Sequence, residues 1–336
     1  MKRKILFLLL FVVLSNYAFS QFSGGDGTEN NPYRITSKKD LEELNDSIRN
    51  SLLNNPRTDY NWSRGKYFKI MNDITDSIKF CIGKKDNTYS SNNFICFQGV
   101  FDGNNHKITL AINNYWSSIG ETKLQSNVGL FSGTYQAKIS NLAVDGYIKN
   151  NTYTDSNLSN FPFLSGGITG TAIESQIYNC INYADIIVDN SCVGGIVGHL
   201  EKLSKITNCT NNGNLKSISD FGGGFGGIVG HSVETAEILN CINIGTIEGL
   251  SLMYLGGIVG AATNTTIINC INSGFVSGDT QIGGITGCIL GNSTVKNCLN
   301  TGVVKGNTKW GCIVGENQGG TIINCHYDKQ MCGGGE

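Results

Sequence analysis

Much of what marks the commoner functional classes is missing from this sequence. Charge is nearly balanced, with 25 Lys and Arg against 26 Asp and Glu, a formal −1, so there is no basic footprint for nucleic acid. Beyond the N-terminus no apolar run reaches the roughly 20 residues that cross a bilayer. Three prolines accompany 44 glycines. The glycines keep no collagen period and point instead to the tight turns of a repeating architecture. There is no HExxH zinc-peptidase motif and no Gly-Lys-Ser/Thr phosphate loop. The twelve cysteines include no CxxC pair and no His-Cys cluster at ligand spacing, so neither a metal nor another cofactor is expected.

What is present begins with Lys2, Arg3 and Lys4, an apolar run from Ile5 to Leu14, and the small-x-small pattern Ala18-Phe19-Ser20. Residues 1–20 therefore read as a secretory signal cleaved after Ser20. No cysteine follows the cleavage point, so a lipid anchor is not expected. The mature chain is expected to be secreted or at the cell surface.

A sentence such as GGIVGAATNTTIINCINSG, residues 256–274, recurs through the second half of the chain. Aligned on the double glycine, the copies start at Gly166, Gly194, Gly226, Gly256, Gly283 and Gly311, with spacings of 28, 32, 30, 27 and 28. An Asn-Cys pair keeps step: Asn179-Cys180, Asn208-Cys209, Asn240-Cys241, Asn269-Cys270, Asn297-Cys298 and Asn324-Cys325. A degenerate earlier copy carries Asn141-Leu142 there. A metal ligand or bridge partner does not exchange with leucine, whereas a core position does, so these cysteines read as small hydrophobes.

Three residues before each cysteine stands Ile or Val, from Ile139 to Ile322, and six after it another aliphatic. Such short β-rich pieces, separated by Gly and Asn, are too short for helices and keep no helical period. They predict a coil of three short strands whose neighbours pair in parallel about 4.8 Å apart, stacking equivalent residues into columns. A spacing of three breaks strand alternation, so a corner is expected at Asn, which tolerates the left-handed conformation. A second Asn column, Asn182 to Asn300, is assigned the same role. Bridges along the cysteine column are disfavoured by the Cβ spacing; Cys81 with Cys96, and Cys325 with Cys332, are the better disulfide candidates.

Residues 21–98 read as an N-terminal cap: a strand, a helix begun by Ser37 and Asp40 with Leu41, Leu44 and Ile48 on its apolar face, and the first strands of the stack. Residues 99–328 form the coil stack, and residues 329–336 a tail. The expected class is all-β, a parallel β-helix solenoid.

The GIVG and GITG cores followed by NCxNxG resemble the GLUG repeat of bacterial surface and secreted proteins. The PYRITSKKDL to FDGNNHKI stretch resembles the segment that accompanies that repeat and the start of pectin-lyase-like β-helices. The likeness runs over residues 24–328, with departures at Cys312, which replaces the second glycine, and after His326, where asparagine is absent. It implies a right-handed parallel β-helix on an exported, adhesin-like protein, and it carries no defined catalytic activity.

Lyases that resemble this scaffold use arginine near acidic residues, yet no arginine occurs from residue 65 onward. A hydrolase needs two opposed carboxylates. The candidates Asp185, Asp189, Glu234, Glu237, Glu248 and Asp279 are scattered over the coils. GGGFGG at 222–227 leads into a strand rather than a helix, which removes a dinucleotide reading. His199 and His231 follow GGIVG in consecutive copies and are expected to stack in exposed turns.

The sequence reading is therefore a non-enzymatic β-helix that binds a glycan or surface-protein ligand. The alternatives are a polysaccharide-active lyase or hydrolase and a structural spacer. Binding is assigned to the irregular insertions at 150–163, 217–225 and 248–257, with Tyr153, Phe161, Phe221, Phe225 and Tyr254 as stacking platforms. One outcome is checkable at once: intact-mass analysis of the exported protein should give an N-terminus at Gln21, and retention of residues 1–20 would overturn the signal assignment.

Overall fold

The computed structural model describes residues 22–53, 61–85, 94–115, 127–151, 163–189, 191–218, 223–250 and 254–332. The chain winds as a parallel β-solenoid. A 22-stranded sheet forms one wall, and two seven-stranded sheets form the others. One coil illustrates the path. Thr266–Ile268, Ile271–Asn272 and Val276–Ser277 run along the large sheet, Thr280–Gly283 crosses the second, and Thr286–Leu290 the third. Each piece pairs in parallel and in register with its counterparts, as in Ile238↔Ile267 and Ile267↔Val295. The exception is a small antiparallel pair, Lys84–Lys85 with Phe94–Ile95.

The expected corner at asparagine is a bend within the large sheet. Asn141, Asn179, Asn208, Asn240, Asn269, Asn297 and Asn324 all have φ between 49° and 56°, the left-handed region that asparagine enters at low cost. One such residue resets the alternation, so the aliphatic three residues before the cysteine and the cysteine itself both face inward. Ile177, Ile206, Ile238, Ile267 and Val295 are at most 1% exposed, as are Cys180, Cys209, Cys241, Cys270 and Cys298. The bend side chains bond up the stack on the outside, Asn208 Nδ2 to Asn179 Oδ1 at 3.3 Å and Asn240 Nδ2 to Asn208 Oδ1 at 3.2 Å.

The second asparagine column does something different from the first. Asn182, Asn211, Asn243, Asn272 and Asn300 are fully buried, and none has positive φ. Asn182, Asn211, Asn243 and Asn272 each donate to the next across 2.8 Å, and all five donate to the carbonyl two residues on, as Asn243 does to Gly245 at 3.0 Å. The polar interior column is thereby satisfied.

These amides explain the double glycine. A Cβ on Gly195 would lie 2.3 Å from Asn211 Oδ1, and one on Gly227 would lie 2.3 Å from Asn243 Cγ and 2.2 Å from the Gly257 carbonyl oxygen. In the last described coil Tyr327 stands in the asparagine column. There the second glycine is replaced by Cys312.

Cys312 is disulfide-bonded to Cys332, with a Cα–Cα distance of 5.5 Å. This corrects both expected pairings, because Cys81, Cys96 and Cys325 are not disulfide-bonded. Cys325 belongs to the interior column, while a turn closed by Met331 N–H on the Asp328 carbonyl brings Cys332 beside Val304 and within reach of Cys312.

At the other end, helix Lys38–Leu53 buries Leu41, Leu44 and Ile48 completely. It packs on strands Tyr33–Ile35, Ile74–Ile78 and Phe94–Ile95. Ser37 caps it reciprocally: its N–H donates to Asp40 Oδ2 at 3.0 Å, and its hydroxyl accepts from the Asp40 N–H at 3.4 Å. Burial alone would raise the Asp40 carboxyl, but hydrogen bonds from Thr36, Ser23 and Ser37 hold it below its usual value. Phe22, Tyr33, Trp62 and Phe68 stack into an aromatic cluster at this end, with Phe22 and Tyr33 centroids 4.6 Å apart.

The pairing of glycine with interior amide is testable. Gly227→Ala should cost at least about 2 kcal/mol, since no side chain in this close-packed core can retreat. Urea unfolding checks it, and a midpoint equal to that of the parent would show that the asparagine column does not occupy that space.

Candidate binding corner

Once per coil the chain passes from the large sheet to the second sheet, and strand register forces these crossings to one place. On one flank Lys216 pairs with Glu248, Glu248 with Ser277 and Ser277 with Lys305. On the other, Phe163 pairs with Ser191, Gly224 with Tyr254 and Thr280 with Thr308. The crossings therefore stack into a single corner running along the solenoid. The described chain leaves the large sheet at this corner at Tyr115, Asn151, Ser217 and Glu248 and re-enters the second sheet at Asn127, Phe163, Gly224 and Tyr254, whereas in the last two coils the crossing is only Gly278–Asp279 and Gly306–Asn307.

Of the predicted stacking residues, Tyr153, Phe161 and Phe221 lie outside the described residues. Tyr254 is partly exposed. Phe225 is fully buried and offers no platform: strand alternation turns it inward, in the column Val193, Phe225, Leu255, Ile282 and Trp310.

That column ends in a residue the sequence reading passed over. Trp310 is 40% exposed although its predecessors Val193, Phe225, Leu255 and Ile282 are all at 0%. It stands at a cleft of roughly 700 Å³ with Val303, Lys305, Asn307, Gln330 and Met331. A smaller cleft of roughly 370 Å³ lies at another corner, near Arg64, Gln98 and Lys138.

His199 and His231 stack as expected, with ring centroids 5.1 Å apart, but on strands Val197–Glu201 and Val229–Ser232 rather than in turns. His199 Nδ1 lies 2.8 Å from Glu201 Oε1. Burial pulls His231 down to about 4, helped by repulsion from His199 and partly opposed by Glu201. Among the described residues no three His, Cys, Asp or Glu side chains converge as a metal site.

Several acids weighed for hydrolysis are engaged by neighbouring coils. Asp185 accepts from the Asn214 N–H at 2.9 Å, Glu237 pairs with Lys205 at 2.9 Å, Glu248 with Lys216 at 3.5 Å, and Asp279 accepts from Asn307 at 2.8 Å. No helix among the described residues is long and apolar enough to cross a membrane.

Residues 189–216 match the GLUG motif, one coil of the stack. No curated protein matches the chain. A solved structure of a Bacteroides ovatus protein, provisionally assigned as an immunoglobulin A1 protease, shares the fold. It has a TM-score of 0.59 and 18% identity, and the match covers 90% of this chain and 87% of that one. A second, described as IgA1 protease, gives a TM-score of 0.49 at 15% identity over 88% of this chain and 21% of that one. The expectation that the chain is not an enzyme is corrected by this finding. A backbone shared along nearly the whole length with a protein assigned as a protease gives no ground for excluding catalysis.

The buried imidazole makes a pH prediction. His231 titrates near 6.5 when unfolded and near 4 when folded. The unfolded chain therefore binds the extra proton between those values, and stability falls as pH drops through that window. The loss should reach roughly 2 kcal/mol once its partly exposed edge is discounted. Ala261 occupies the same column one coil on, so His231→Ala fits the space. Urea midpoints between pH 4 and 6.5 should fall less steeply in that variant; parallel slopes would show that the imidazole is solvated.

Proposed function

We propose that this protein is an exported β-helix that holds a glycan or glycoprotein ligand along its insertion corner, as an adhesion or surface-assembly module. The observation that carries the reading is positional. The described strand ends that flank sequence insertions of unequal length are stacked by register along one edge of an otherwise repeating scaffold. Regular coils supply rigidity, and function on such scaffolds is carried where the sequence departs from the repeat. The N-terminal signal pattern and the GLUG coil support an extracellular setting. Turnover of a bound ligand is a separate property, measured by release of cleaved peptide or glycosidic products from the same ligands.

The last coils supply the design of the test, because two residues suffice there to make the crossing. Replacing residues 152–162, and separately 219–222, by Gly-Asp should leave the melting temperature within about 3 °C. Retention of the mature protein on immobilised mucin glycoproteins and bacterial polysaccharides should then fall at least tenfold. Unchanged retention in both shortened variants would overturn the reading.

A further inference from the structure

The corner ends in a cleft whose chemistry is more specific than that of its loops. Where the crossings shrink to Gly278–Asp279 and Gly306–Asn307, the chain leaves a space of roughly 700 Å³, within the roughly 300–1,000 Å³ of small-molecule sites. Trp310 forms one wall, and Gln330 and Met331 line the space with it. Gly306 allows the indole to lie close, since a Cβ there would sit 2.8 Å from Trp310 Cβ. The Gln330–Met331 segment is tethered on both sides: Val304 N–H donates to the Met331 carbonyl at 3.4 Å, and Cys332 is bonded to Cys312.

The polar groups around this aromatic wall are of two kinds. Asn307 donates its amide N–H to Asp279 at 2.8 Å, which fixes the side chain and leaves its carbonyl oxygen to accept from a hydroxyl. Lys305 is exposed, and its ammonium lies 5.6 Å from the Phe275 ring centroid. Among the described residues it has no carboxylate partner, whereas Lys216, three coils back in the same column, is paired with Glu248 and Lys309 with Glu316. An indole face beside a neutral hydrogen-bonding rim suits the C–H face and hydroxyls of a pyranose. An uncommitted cation at the same rim suits a carboxylate.

We propose that this cleft binds an acidic pyranoside, with its ring against Trp310 and its carboxylate on Lys305. The inference deepens the binding role given above by naming a ligand class for one end of the corner. Two sources share this chemistry, the uronic acid of a polysaccharide and the sialic acid of a glycoprotein. The Cys312–Cys332 bond is part of the site, because it holds the segment that carries Gln330 and Met331.

The test is calorimetric titration, with tryptophan fluorescence in parallel, of the full mature chain with its disulfide intact. The probes are trigalacturonate and sialyllactose, against methyl-esterified trigalacturonate and lactose as uncharged counterparts. An acidic probe should bind at least tenfold more tightly than its neutral counterpart, about 1.4 kcal/mol, and more weakly as salt rises. Lys305→Gln should bring the acid to the neutral level without moving the melting temperature. Trp310→Ala should abolish binding and Trp310→Phe restore part of it, a rescue that separates stacking from loss of the last coil. Binding of trigalacturonate alone assigns the polysaccharide source, and binding of sialyllactose alone the glycoprotein source.

Failure of both acids to bind, equal binding of acid and ester, or full binding in Trp310→Ala would overturn the proposal. The variants shortened at 152–162 and 219–222 keep this cleft. They should titrate normally whether or not they are still retained on glycoprotein surfaces, so the two readings fail separately.

Discussion

In-register parallel pairing between coils is the constraint from which the rest of this structure follows. Strands about 4.8 Å apart place each residue directly against its equivalent in the next coil, so a choice made at one position must be tolerable as a column. Asparagine is tolerable in two ways. Outside, at the left-handed bends, its amides bond along the stack. Inside, the same amides join each other and the local carbonyls, leaving a buried polar column with its bonds made. The interior column in turn takes the volume that a side chain on the second glycine would need. Gly and Asn, far apart in sequence, are one steric unit.

The cysteine column follows from the same bend. Each thiol lies 3.3–3.5 Å from the carbonyl oxygen two residues before it, the carbonyl just ahead of the left-handed asparagine. A thiol is small enough for the core and donates weakly to that oxygen, which Leu142 in the earlier coil does not. Burial pushes the thiols of Cys209, Cys241 and Cys270 well above their ordinary value, which keeps them from the thiolate form that reacts. A chain read as exported can therefore carry a run of free cysteines, while its one described disulfide closes the last coil.

Regularity in the walls and variability at one corner divide the labour of the molecule. The walls are fixed by stacking, so changes of length are tolerated only where the chain leaves one sheet for the next. That separation is compatible with a binding surface and equally with a scaffold that presents a catalytic group. The histidine pair belongs to the walls rather than the corner, and the lowered basicity of His231 reflects burial within a column.

The sequence by itself determined the solenoid, the coil length, the inward cysteines and the left-handed asparagines, because a repeat writes its column rules out six times. Leu142 in place of cysteine was enough to separate core from metal. What it could not decide was where each column meets its surroundings. The two asparagine columns look alike in sequence, yet one is outside and one inside, since a single bend resets the alternation between them. Phe225 and Trp310 share a column, yet the first is packed between neighbouring coils and the second, in the last described coil, is partly exposed. Cys332 reaches Cys312 rather than Cys325 because a turn redirects the chain after the final strand. These are facts about neighbours in space, which local pattern encodes only when the neighbour is another copy of itself.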